Sequence, residues 1–358
     1  LPIPVPGVDT PTPGNPNNPG GGGGVSPAIP PSYRRRISWI YPAITADVSS
    51  RSEILLTGDI SGNNTGIIVQ PGIKGFDAAP YELTLDKLPA LDGSVPRHVR
   101  ADVREVMLPL FLWAPDRTSL LVLKRDLLVA LDPAKGMGTL AVVETDGLGN
   151  ESVRYLDCYY AGGLEGDESE GYDFVCLIYG LVLQAPDPMW YGPKIAPSTP
   201  DRFSSTVPVN FFTGKPRGAP DEHIGAFFPV HLSKSTYVED KTYTVQNPGD
   251  RDAWPVWRVF GTGAKNVSIT EISTGKGIVV AYNFASDSDT VTIDTRPGFK
   301  TITNSAGLNL WPNTATGTAM FQIAPGANRI RLDFEPATET SVVNTFVFYS
   351  FYPRYLGA

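Results

Sequence analysis

Apolar and polar residues alternate with a period of two along most of this chain, which predicts strands. The alternation is cleanest at Val99, Ala101 and Val103, then at Val106, Leu108 and Leu110, and it predicts one strand over Val99–Leu112. Shorter runs at Ile37–Tyr41, Glu53–Thr57, Gly66–Gln70 and Tyr81–Leu85 are separated by Gly-Asp, Gly-Asn-Asn and Pro-Gly-Ile-Lys-Gly, residues that break strands and make turns. Asp92-Gly93-Ser94 is a further turn. The period then changes. Between Asp116 and Asp132, Leu120, Leu123, Leu127, Leu128 and Leu131 fall on one helical face. Asp116 or Thr118 can cap the start of that helix, and Asp132-Pro133 ends it.

Strand periodicity returns at Thr139–Glu144, and Asp146-Gly147-Leu148-Gly149-Asn150 turns the chain into a hairpin. Its arms are Ser152–Tyr160 and Tyr172–Gln184, joined by the Gly- and acid-rich loop Ala161–Gly171. Cys158 and Cys176 are equidistant from Asp167 at the loop centre, so a simple register places them opposite one another. Pro186 and Pro188 stop the second arm, and the aromatic pair Trp190-Tyr191 follows.

From about Thr236 the pattern is all strand. Runs at Thr242–Gln246, Trp254–Phe260, Asn266–Ser273, Gly277–Asn283, Thr290–Asp294, Phe299–Thr303, Thr318–Ile323, Asn328–Phe334 and Val342–Phe351 recur with turn signals between them. Short strands of this regularity predict a sandwich or jelly roll. Between the two halves lies a loop-rich stretch, 193–235, read as a linker or long connection with short strands of its own around Val207–Phe212.

Composition agrees with a β-rich, turn-rich protein. Across 358 residues only 18% are charged, while 36 Gly and 34 Pro are present. The length accommodates two cores and an arm: residues 1–36 form a Pro/Gly-rich arm, 37–192 a first domain, 193–235 the connection and 236–358 the sandwich. The arm alternates Pro2, Pro4 and Pro6 and contains Gly20–Gly24, so it cannot bury enough apolar surface to fold alone and is expected to order on a neighbouring subunit. A net charge of −8 gives no electrostatic footprint for nucleic-acid binding. No apolar run reaches the roughly 20 residues of a membrane span, and the first residues lack the pattern of a signal peptide. Two cysteines make no disulfide framework, which points to a reducing compartment during synthesis.

The hairpin and its ending, "R-x-L-x-C-x-Y" followed by the Gly/Glu loop and Ala-Pro-Asp-Pro-Met-Trp-Tyr-Gly at 185–192, resemble the hairpin that closes the first domain of siphophage distal tail proteins. Other matches follow in that family's order: Pro71-Gly72-Ile73-Lys74-Gly75, the Leu-rich helix, Asn-Pro-Gly through Trp257 to Gly261, Ile293-Asp294-Thr295 and Pro325-Gly326 through Ile330. The resemblance spans roughly Ile37 to Pro353. It implies a mainly β belt domain with one helix, followed by a galectin-like β-sandwich. It also implies a structural role, not an enzyme, at the distal end of the virion tail. There a homo-hexameric ring would join the tail tube protein to the tail-tip hub beside the tape measure protein, with a lumen through which DNA passes.

Candidate chemistry is sparse. His98, His223 and His231 are the only histidines and sit in no metal-binding spacing. Glu165, Asp167, Glu168 and Glu170 make an acidic loop without the fixed positions of a calcium loop, and read as a solvated loop. No nucleophile elbow or phosphate loop occurs, so no catalytic residue, metal or cofactor is expected. The alternative function is adsorption: Trp254, Trp257, Trp311 or Tyr282 could stack on pyranose faces of a host cell-wall glycan. Trp254 and Trp257 lie an odd number of positions apart on one expected strand, so they should face opposite sides, one of them in the core.

Overall fold

The computed structural model describes residues 34–46, 50–58, 64–87, 92–146, 148–166, 175–204, 241–338 and 342–358. The arm before Arg34 and the strands expected around Val207–Phe212 lie outside the described residues.

The first half builds β1 (Arg34–Tyr41), β2 (Ser52–Leu55), β3 (Gly66–Val69), β4 (Tyr81–Asp86), β5 (Val95–Ala101), β6 (Arg104–Trp113), α1 (Arg117–Ala130), β7 (Gly138–Thr145), β8 (Glu151–Gly162), β9 (Cys176–Ala185) and β10 (Trp190–Tyr191). Seven of these strands form one antiparallel sheet in the order β2-β1-β7-β8-β9-β6-β3. Beyond β2, the Gly58 amide donates to the Ile67 carbonyl of β3 at 2.7 Å, carrying the two ends of the sheet toward closure as a barrel. The concave side is filled from alternating positions. Val106, Leu108, Leu110 and Leu112 of β6 are fully buried and pack with Leu181 and Leu183 of β9. Each such side chain contributes about 1.5–3 kcal/mol by leaving water.

The helix forms where its period places it. Asp116 is the cap, its carboxylate accepting the Ser119 amide at 2.9 Å. Leu120, Leu127 and Leu131 are buried in the first core, and Trp39 donates its indole N–H to the Ala130 carbonyl at 2.8 Å. Leu128, expected on the packed face, is instead exposed together with Leu121, Val122 and Val129. It sits about 100° round from Leu127, past the edge of a single buried ridge.

Two further expectations fail. The run Val99–Leu112 is two strands in different sheets, because the Asp102 amide donates to Pro80 and the Asp102 carboxylate accepts the Val103 amide, turning the chain between β5 and β6. Cys158 and Cys176 are not opposite one another. The β8–β9 register pairs Tyr159 with Gln184 and Tyr160 with Leu183, so Cys158 lies beside Gly138 of β7 and Cys176 beside Trp113 of β6. A bulge at Ala161 shifts the hairpin. There Gly163 has φ +91° and a Cβ would lie 1.8 Å from the Gly180 carbonyl oxygen, so only glycine lets the strands approach. The two cysteines form no disulfide, and burial, with Asp157 adding to it, pushes the Cys158 thiol far above its ordinary pKa.

The second half comprises β11 (Asp201–Ser204), β12 (Lys241–Asn247), β13 (Val256–Thr262), β14 (Ala264–Glu271), β15 (Gly277–Val280), β16 (Thr290–Asp294), β17 (Thr301–Asn304), β18 (Gly326–Pro336), β19 (Asn344–Ser350) and β20 (Arg354–Tyr355). Two antiparallel sheets, β11-β19-β13-β16-β17 and β12-β18-β14-β15, share one core that includes Val259, Ile293 and Val347 from the first and Val245, Ile269 and Ile330 from the second. This is a sandwich. The strand expected over Thr318–Ile323 is absent. There the Ala315 and Ala319 amides donate singly to the Val279 and Gly277 carbonyls of β15, while the Val279 amide is taken by the Thr318 hydroxyl in place of a backbone carbonyl.

The chain does not stay within one half. After β19 it crosses back, and β20 pairs with β10 on the first sheet. Ala358 donates its amide to the Phe76 carbonyl at 3.0 Å.

Candidate functional site

The junction of the two cores is the most elaborately held region of the described structure. Its centre is Arg104, buried at 1% exposure on the first residue of β6. The guanidinium donates to the carbonyls of Pro188 (2.6 Å), Gly75 (2.6 Å), Asp77 (3.1 Å) and Leu356 (2.6 Å). Burial lowers its pKa while the Asp77 charge opposes that shift. Trp190 lies beside it, packs edge-on against Phe76 at 5.3 Å, and donates its indole N–H to the Phe76 carbonyl.

On the sandwich side, the turn Asn247-Pro248-Gly249-Asp250 receives the returning chain. Gly249 has the Arg354 carbonyl oxygen 2.5 Å from where a Cβ would sit, and the amides of Asp250 and Arg251 both donate to that carbonyl. Asn247 locks the turn from within, accepting the Gly249 amide and donating to the Ile323 carbonyl at 2.9 Å. Arg354 in turn pairs with Asp187 in the Asp-Pro stretch that precedes β10.

Two adjoining depressions open at this junction. A crevice of about 550 Å³ is lined by Pro186, Met189, Trp254, Phe299, Tyr352 and Arg354, among others. A neighbouring groove of about 430 Å³ shares Thr45, Trp254, Arg296 and Tyr352 with it and adds Arg51, Lys194 and Arg258. Arg296 is gripped by Asp294 through both carboxylate oxygens, an arrangement that raises its pKa despite burial, and its guanidinium lies 5.1 Å from the Phe299 ring centre. Tyr191 donates to Asp157 at 2.6 Å, and burial first, then that charge, raises its pKa.

The four aromatic candidates separate by position. Trp257 is 1% exposed in the sandwich core, against Phe321 and Tyr349, and presents no face to a ligand. Its indole N–H is buried without a hydrogen-bond partner in the structure. Trp254 is half-buried at the junction and lines both depressions. The two do face different surroundings, although Pro255 ends the strand before Trp254, so a shared strand is not the cause. Trp311 is 37% exposed on a single helical turn, and Tyr282 packs edge-on against Phe284 at 5.0 Å; neither touches the junction. Sequence reasoning passed over Arg104 and read Gly249 only as part of the Asn-Pro-Gly turn; the roles of both rest on contacts with residues at the far C-terminus. Among the described residues no group of His, Cys, Asp and Glu is arranged to hold a metal, and Asp167, Glu168, Glu170, His223 and His231 lie outside them. No described helix is long and apolar enough to cross a membrane.

Residues 248–352, from the Asn-Pro-Gly turn to the end of the sandwich, match the family model described as siphovirus-type tail component, C-terminal domain. The sandwich is a siphovirus-type tail component domain. Among solved structures, the crystal structure of phage SPP1 Dit, described as a paradigm of the hub adsorption apparatus in phages infecting Gram-positive bacteria, has 16% identity and a TM-score of 0.52, covering 81% of this chain and 94% of that one. That likeness extends the shared fold to the first half. The phage p2 baseplate in its activated conformation with Sr has 10% identity and a TM-score of 0.45, covering 88% of this chain and 98% of that one. No curated protein sequence matches the chain.

Proposed function

We propose that this chain is a distal tail protein that closes into a homo-hexameric ring between the tail tube and the tail-tip hub of a siphophage, leaving a lumen for DNA. The tail tube, tape measure and hub proteins would be its neighbours in the virion. The match of residues 248–352 to a tail component domain, set beside a first half of SPP1 Dit-like fold, carries this reading. The chain also has a surface suited to assembly. The ribbon β4–β5 stands as a separate two-stranded sheet with Tyr81, Leu83, Leu85 and Val99 exposed, and an isolated ribbon of this kind is marginal in water without a partner. A ring repeats one heterologous contact until it closes. Native mass spectrometry and sedimentation of the full chain at rising concentration should give a closed six-copy species. A monomer at every concentration, or a two-fold dimer as the end state, would overturn the ring.

A second reading is favoured by one observation. Trp254 is half-buried beside the exposed Phe299 on the wall of the junction crevice, an arrangement that suits contact with a host cell-wall glycan. Trp254→Ala should then abolish binding of cell-wall oligosaccharides, and an unchanged affinity would rule this site out.

A further inference from the structure

The junction groove concentrates positive charge in a chain whose net charge is −8. Arg51, Lys194, Arg258 and Arg296 all line it. Arg296 is held by Asp294, but among the described residues Arg51, Lys194 and Arg258 form no ion pair. Arg51 is fixed in place all the same, donating to the carbonyls of Ala43 (3.4 Å), Ile44 (3.1 Å) and Ala46 (2.8 Å), none of which neutralises it. Gathering like charges costs free energy unless an anion offsets it. The wall that carries them also carries flat apolar faces. Trp254 and Tyr352 belong to both depressions, and Phe299, 63% exposed, continues the surface into the crevice.

We propose that this groove binds an anionic saccharide, with phosphate or carboxylate groups held by Arg51, Lys194, Arg258 and Arg296 and a sugar ring stacked on Trp254. This rests on the glycan reading above and names the chemical class of its ligand. An acidic peptide would satisfy the cations but has no use for the aromatic platform between them. A nucleic-acid strand would need basic surface beyond the groove, which an acidic chain does not extend to it.

The test uses the full chain and isothermal titration with defined probes: a phosphodiester-linked hexose oligosaccharide, a uronic-acid oligosaccharide, the neutral hexose oligosaccharide, inorganic phosphate, oligoglutamate and oligothymidine. Both charged oligosaccharides should bind, more weakly as salt rises, and the neutral one at least about tenfold less tightly. The double variant Lys194→Glu, Arg258→Glu changes two exposed side chains, so its melting temperature should stay put while charged-oligosaccharide binding is lost. Trp254→Ala should weaken both charged probes. Equal affinity for the neutral oligosaccharide would overturn the anionic proposal and leave the glycan reading standing. Absence of binding by every oligosaccharide would overturn both. Phosphate, oligoglutamate or oligothymidine binding as tightly as the charged oligosaccharides would make the groove a site for that ligand instead.

Discussion

Arg104 and Leu356 are 252 positions apart in sequence, yet a guanidinium nitrogen of Arg104 donates to the Leu356 carbonyl oxygen at 2.6 Å. The same group binds the carbonyls of Gly75, Asp77 and Pro188. It therefore ties two loops of the first half to a segment that arrives only after the whole sandwich has been built. Arg104→Met keeps the bulk and removes every donor, leaving buried carbonyls without partners. It should destabilise the chain by roughly 3–5 kcal/mol, seen as an earlier denaturant midpoint. A midpoint equal to wild type would show that the carbonyl cluster is satisfied without Arg104.

The returning tail bears on fragment behaviour. A fragment ending at Gly192 lacks β20, the Leu356 acceptor and the bond from Ala358 to Phe76. It should unfold at lower temperature than the first half does within the intact chain, and a peptide covering 352–358 added in excess should raise its melting temperature. If the bare fragment melts where the intact first half does, the tail is an ornament on that sheet.

Much of this was legible locally. Period-two alternation located β6 and its buried Val106, Leu108 and Leu110, and the change to helical period located α1 with Asp116 as cap. What sequence could not supply were contacts between distant segments. The split at Asp102 depends on Pro80, the shift of Cys158 away from Cys176 depends on a bulge packed against Gly180, and the junction depends on residues 354–358. Of the aromatic candidates, Trp254 lies at the junction because Asn247–Asp250 and the returning chain place it there, and no pattern in the residues around it reveals that.

Gly163 offers a direct check on the hairpin register. A methyl group there meets the Gly180 carbonyl oxygen and its neighbours, all of them backbone, at a φ that side chains avoid. Glu165, which accepts the Gly163 amide at 2.6 Å and the Tyr160 hydroxyl at 2.9 Å, holds the same bulge from outside. Gly163→Ala should cost about 2 kcal/mol or more, whereas Gly149→Ala, which has open space at a similar φ, should cost less. Equal losses in urea titrations would contradict the close approach.

Acid stability should carry the signature of Glu271. Burial alone would raise its pKa, but hydrogen bonds from the side chains and backbone of Ser273 and Thr274 outweigh that and bring it to about 2. A folded-state pKa below the unfolded one means the carboxylate stabilises fully above the unfolded value. That contribution disappears as pH falls from about 4.5 toward 2. It should amount to on the order of 3 kcal/mol. Glu271→Gln should be less stable than wild type at pH 7 and show a flatter loss of stability between pH 5 and 2 in urea titrations. Parallel pH profiles for the two proteins would assign the acid sensitivity elsewhere.

The ribbon decides whether assembly works as proposed. Its register sets Leu83 opposite Val99 and Tyr81 opposite Ala101, so one face is apolar, while Glu82 pairs with Arg100 on the other. Leu83 is 56% and Val99 53% exposed, and neither belongs to the two cores. Replacing both with glutamate therefore removes no buried contact within one copy, and places two carboxylates directly across a strand pair. The monomer should lose no more than about 1 kcal/mol from that local repulsion. A ring built on this face would be lost, because each contact would then bury two unpaired charges. Leu83→Glu, Val99→Glu should accordingly run as a folded monomer in sedimentation at concentrations where wild type assembles. If the variant assembles as wild type does, subunits meet through another surface, and the exposed helix face at Leu121, Val122, Leu128 and Val129 becomes the next one to mutate.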